Sequence, residues 1–361
     1  MKRLACLIGL SIDTMPPPPP PLPTPPPACA SWCAHHSGSW PRKCKYIACS
    51  LCPKCSADRC LNDSNPHFTC PAPCFCATTI NASLIQPVVN ITFSEKYALQ
   101  LDLYLPLNDS ATRLRPAVVA IHGGGFSGGD RHSEGTWCQR LAARGYVCAT
   151  TEYRLHTGLK PGADPLQFPA VILNATEDTR AAIRWLRTNA AKFRIDTSRI
   201  GAMGASAGAM ITAFLVTASG EGDGGNPGVD SSIGAGVSFS GALLSTQYLQ
   251  INPSQPPFLD MHGCNDRIVP YSSSMRPPLS YLYNGVSTHQ EMIKRGANAS
   301  LISFPNAAHI GEAGGMSAAV NAHADQIWAF FAQHLNLSKA VCPGDDSEPA
   351  AFGRLGAANV S

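Results

Sequence analysis

Ser206 sits in Gly204-Ala205-Ser206-Ala207-Gly208, a stretch almost stripped of side chains between the apolar runs 199–204 and 207–218. A serine hydroxyl is a weak nucleophile, and it becomes a strong one only beside a base that a carboxylate orients. Two later segments offer those groups in the order acid, then histidine. Asp266 follows the apolar run 257–263 in PFLDMHGCNDRIVPY, and His309 follows the run 301–305 in LISFPNAAHIG. Asp260 is a rival acid, but it falls inside its run and not after it. His289, His323 and His334 fall in helical patterns and are expected at the surface. A third stretch, AIHGGGFSGGD at 120–130, carries the consecutive glycines 123–125, whose N–H groups could approach a substrate carbonyl unhindered. It has no G-K-[ST] ending and no G-x-G-x-x-G opening a helix, which argues against a nucleotide site. His122 is expected to order this loop by hydrogen bonding, not to act as a base. The chemistry these residues suit is acyl transfer through a covalent intermediate, with no cofactor and no metal.

These groups need a scaffold that brings loop ends together. From about Val88 the chain alternates short apolar runs with helical patterns. VVNITFSEKYALQLDLYLP reads as a hairpin, with Leu99, Leu101, Leu103 and Leu105 alternating against polar partners. The runs 116–123, 146–153, 199–204, 234–241, 257–263 and 301–305 have the texture of strands buried on both faces. Between them lie EDTRAAIRWLRTNAAKF, AGAMITAFLVTA and HADQIWAFFAQHL, which read as helices. Such alternation predicts a doubly wound, mostly parallel α/β sheet with ligands at its strand C-termini. Ser206 then falls at a sharp strand-to-helix turn. That turn imposes backbone strain and leaves no room for side chains two positions away, which accounts for Gly204 and Gly208. Only residues 241–256 separate the run at 234–241 from the strand before Asp266, too short for a bulky cap.

Composition narrows the partners. Apolar residues make up 44% and charged residues 14%, with a net charge of +3, so nucleic acid is not expected. No apolar run reaches the roughly 18 residues of a membrane span. Residues 1–15 resemble a signal peptide with an unusual end, 16–28 form a proline-rich spacer, and 339–361 a loosely held tail. Ten of the 15 cysteines fall between Cys29 and Cys76, the density of a small disulfide-stapled module at 29–78. Cys49, Cys52 and Cys55, with His35 and His36 nearby, lack the spacing of a zinc site. Eight N-x-S/T sequons (Asn62, Asn81, Asn90, Asn108, Asn174, Asn298, Asn336 and Asn359) add to the expectation of a secreted glycoprotein. Trp32 and Trp40 offer the module a carbohydrate contact. Cys148, in a buried-strand pattern, is expected to be a free thiol, and Cys264 is open to either state.

Together LDLYLP, HGGGF, GYVCATTEYRL, DTRAAIRWLRTNAAKFRIDTSRIGAMGASAGA, HGCNDRIVPY and AAHIG resemble the α/β-hydrolase superfamily, in its hormone-sensitive-lipase-like and feruloyl-esterase-like carboxylesterase branch. The resemblance runs from about Ile91 to Leu335, inside a catalytic domain expected over 85–338. It implies acylation of Ser206, His309 as base, Asp266 as its orienter, and an oxyanion hole from the N–H groups of Gly124, Gly125 and Ala207. Ala209 departs from the family's G-[DS]-S-A-G-G. The expected substrate is a small or polymer-linked ester, polysaccharide-linked acyl and feruloyl esters included. The alternatives are an amidase or formamidase with the same triad, or a non-catalytic binding protein of this fold.

Overall fold

The computed structural model describes residues 85–107, 114–156, 167–218, 220–244, 251–272, 282–312 and 317–335. The expected leader, proline spacer, cysteine-rich module and tail lie outside them, as do the carbohydrate contact and the cysteines at 49, 52 and 55.

The hairpin expected at the start is β1 (Ile85–Ser94) against β2 (Leu99–Pro106), antiparallel. The apolar runs follow as β3 (Arg115–Ile121), β4 (Val147–Thr151), β5 (Ile195–Ala205), β6 (Ala235–Phe239), β8 (Phe258–Gly263) and β10 (Ala299–Phe304). They form one eight-stranded sheet in the order β1-β2-β4-β3-β5-β6-β8-β10. Pairing is parallel from β4 through β10, and β2 joins β4 antiparallel. Two short strands, β7 (Leu243–Leu244) and β9 (Leu282–Tyr283), form a separate ribbon. Among the described residues no helix stands between β6 and β8.

Every residue of β3, β4, β6 and β8 is buried, as two-faced burial in a parallel sheet requires. Helices cover the faces: α1 (Gly135–Ala142), α2 (Gln167–Thr188), α3 (Ala190–Phe193), α4 (Ala207–Thr217), α5 (Gly285–Lys294), α6 (Ser317–Ala322) and α7 (Ala324–His334). All of α4 is buried, so its glycines and alanines allow close approach to the sheet, while Phe214 alone contributes about 2–3 kcal/mol of apolar burial.

One expectation is corrected. Cys148 is not a free thiol: it is disulfide-bonded to Cys138 of α1, with their Cα atoms 5.0 Å apart. A strand pattern reports the burial of Cys148 but not what another element places against it. Cys264 is disulfide-bonded as well. Asp102, a polar partner in the alternation of β2, is itself buried. Its Oδ1 accepts from Arg131 Nε at 3.0 Å and from the Asn90 N–H at 2.7 Å, so the carboxylate is neutralised where it lies.

Candidate active site

β5 ends at Ala205 and α4 begins at Ala207, so Ser206 is the single residue of the turn between them. Its φ of 54° and ψ of −113° are strained for a residue with a side chain. The neighbouring glycines are obligatory. A Cβ on Gly204 would stand 2.3 Å from the Gly208 carbonyl oxygen, and one on Gly208 would stand 2.1 Å from that of Ile121. The Ser206 N–H donates to Phe239 O at 2.9 Å, tying the elbow to the end of β6.

Asp266 and His309 lie in the loops after β8 and β10, the two strands beyond β6. His309 Nδ1 is 2.7 Å from Asp266 Oδ2, and its Nε2 is 2.9 Å from Ser206 Oγ. A carboxylate only accepts, so Nδ1 donates and Nε2 is left to accept the serine proton. Asp266 Oδ1 accepts from the N–H groups of Ile268 and Val269 at 2.9 and 2.8 Å, which fixes the carboxylate plane. Burial would raise the Asp266 carboxyl, but the nearby His262 ring and the hydrogen bond from His309 hold it well below the usual carboxylate range.

The triple-glycine loop follows β3, next to β5 in the sheet. Gly123 packs on the elbow, where a Cβ would meet Ala205 O at 3.0 Å and Ser206 Cβ at 3.3 Å. Gly124 and Gly125 have φ of 113° and 61°, and their N–H groups donate to nothing among the described residues. Ala207 is the first residue of α4, where no intrahelical acceptor exists for its N–H. His122 is neutral because burial lowers its pKa; its Nδ1 donates to Gly123 O at 2.7 Å and its ring stacks on Tyr153. Tyr153 Oη donates to His122 O at 3.1 Å and to Gly123 O at 3.3 Å, pinning the loop.

The structure therefore brings Ser206, Asp266 and His309 together and sets Gly123 of the glycine loop against the elbow. Asp260 lies within β8 and does not reach His309. His289, His323 and His334 are half-buried on or beside helices, not at the surface, because each helix packs one flank on the sheet. Sequence reasoning missed His262, which stands 3.4 Å behind Asp266. The available signal was Asp260-Met261-His262, two ionisable residues on one face of an otherwise wholly buried strand.

The BD-FAE family model matches residues 101–240. The native esterase Est2 of Thermogutta terrifontis superposes with a TM-score of 0.55 at 21% identity, covering 72% of this chain and 95% of that one. The chain has the α/β-hydrolase fold. The chain is 34% identical over 107 residues to esterase LipC of Mycobacterium tuberculosis, 29% of this chain and 24% of that one. It is 30% identical over 128 residues to ethyl acetate hydrolase of Pseudomonas putida, 35% of this chain and 37% of the relative. Against chlorogenic acid esterase of Aspergillus niger the figures are 31% over 160 residues, 41% and 30%. The chain thus spans well under half the length of each of these curated relatives. Among its described residues no helix is long and apolar enough to cross a membrane.

Proposed function

We propose that the protein is a secreted carboxylesterase working through an acyl-enzyme on Ser206. The observation that carries this reading is the unbroken chain from Ser206 Oγ through both nitrogens of His309 to Asp266, at 2.9 and 2.7 Å. Ser206 Oγ attacks the ester carbonyl carbon while His309 Nε2 takes its proton. Asp266 holds Nδ1–H and stabilises the imidazolium that forms. The tetrahedral oxyanion is met by the N–H groups of Gly124, Gly125 and Ala207, each worth about 3 kcal/mol of barrier. His309 then returns the proton to the leaving alcohol oxygen as the carbon–oxygen bond breaks. Water, deprotonated by the same imidazole, attacks the acyl carbon and releases the acid, restoring Ser206.

For the substrate we propose esters carried on large alcohols, including polysaccharide-linked acyl and feruloyl groups. The short 241–256 connection and a relative named chlorogenic acid esterase support that choice. The secretory route is supported by the Cys138–Cys148 disulfide and by the disulfide-bonded state of Cys264.

A fluorophosphonate probe should label the wild type and leave Ser206→Ala unlabelled. The same variant should lose about six orders of magnitude in kcat on p-nitrophenyl esters. Labelling that survives the substitution, or faster turnover of N-formyl amides than of any ester, would overturn the reading. Failure to release acids from plant or algal wall material would overturn the polymer assignment alone.

A further inference from the structure

Asp260 and His262 are two residues apart on β8, on one face of the strand, and both are fully buried. His262 Nε2 donates to Val269 O at 2.8 Å and lies 3.4 Å from Asp266 Oδ2, while Nδ1 lies 3.6 Å from Asp260 Oδ2. Neither Asp260 oxygen, nor His262 Nδ1, has a hydrogen-bond partner among the described residues. Two buried carboxylates therefore flank one imidazole, and a charge on that ring offsets their desolvation where a neutral ring would not.

The surroundings contain few competing charges. Tyr271, on the loop after β8, presents its ring edge-on at 5.8 Å and bonds Ser303 of β10 through its hydroxyl. α5 meets the ring with Gly285, where a Cβ would come within 2.4 Å of Nδ1. His289, further along α5, is kept neutral by burial. His309 stands beyond Asp266. Burial alone would discharge His262, but Asp260 and Asp266 outweigh it and hold its pKa at about 10.

We infer that His262, charged and paired with Asp260, is a positioning residue that keeps Asp266 ionised and turned to His309, and so sets how far into acid the active site works. This rests on Ser206, His309 and Asp266 being the catalytic groups. A buried cation opposes proton uptake at the active site beside it. Removing that cation lets the site take up a proton at higher pH.

Nitrogen-15 NMR of the full chain, labelled in histidine, tests the charge without any variant. At a pH of about 8.5 ordinary histidines are neutral, so one ring protonated on both nitrogens should stand out among the 11. Finding only neutral rings overturns the inference. The second test is kcat/KM for a p-nitrophenyl ester against pH in wild type and His262→Gln, the glutamine amide replacing the donor to Val269. The acid limb should move up by about 0.5–1 pH unit. A uniform loss of rate with the limb unmoved overturns it too, and marks His262 as packing only. Ester hydrolysis that survives Ser206→Ala sinks the catalytic reading instead, while the NMR result still decides the charge of His262.

Discussion

Ser240 Oγ accepts the backbone N–H of Ile310 at 3.2 Å, so the end of β6 holds the turn that presents His309. Ser240 is buried with a φ of 57°, and its own N–H donates to Met261 O at 3.0 Å. Its strained backbone thus links β6, β8 and the histidine loop. Ser240→Ala should leave KM for a p-nitrophenyl ester within about twofold and lower kcat about tenfold, as a misplaced base does. Steady-state kinetics check this, and an unchanged kcat would show that the hydroxyl does not position the loop.

Gly208 and Gly125 separate packing from strain. Gly208→Ala drives a methyl into the Ile121 and His122 carbonyls at 2.1 and 2.7 Å, and neither is free to move. It should destabilise the fold by about 3 kcal/mol or more, seen as a lower urea midpoint. Gly125→Ala meets only Ser127 Oγ at 4.0 Å, so its cost is the φ of 61°, about 1–2 kcal/mol. The Gly125 variant should fold and lose more kcat than stability.

Glu134, at the N-terminal end of α1, is raised by burial to a pKa of about 7. Below about pH 4.5 its carboxyl is protonated in both folded and unfolded chains. Between 4.5 and 7 the unfolded chain releases a proton that the folded one keeps, so stability falls as pH rises and levels off above 7. Glu134→Gln should remove that slope: no change near pH 4.5, and a gain on the order of 2–3 kcal/mol at pH 8. Urea denaturation at the two pH values measures it.

Replacing Cys138 and Cys148 together with alanine opens a loop of sequence separation 10. In the chain-entropy description this costs about 2–3 kcal/mol, because the unfolded chain regains that freedom. The double variant should show a proportionately lower denaturation midpoint. A midpoint equal to that of the reduced wild type would confirm that the bond acts and not the side chains.

Ser206, Asp266 and His309 could be found in the sequence because each lies just past an apolar run long enough to be a strand. Backbone pattern is local, and so is the glycine signature of the elbow. The pairing of Cys148 with Cys138 is not local: it depends on α1 lying against β4, and no period in either segment records that. The same holds for His262, whose role depends on Asp266 folding back over its own strand. α1 also escaped the pattern reading, because the eight residues of GTWCQRLA give little more than two turns in which to show a period.

The glycine loop and the elbow meet with no room for a side chain on either glycine, Gly123 against Ala205 and Ser206 and Gly208 against Ile121 and His122. A one-residue slip of β5 against β3 would therefore drive carbonyls into each other and lift Ser206 out of place. Variation in length among relatives that keep this chemistry should thus accumulate in the connections beyond these two strands and stay out of the segments 117–124 and 200–208.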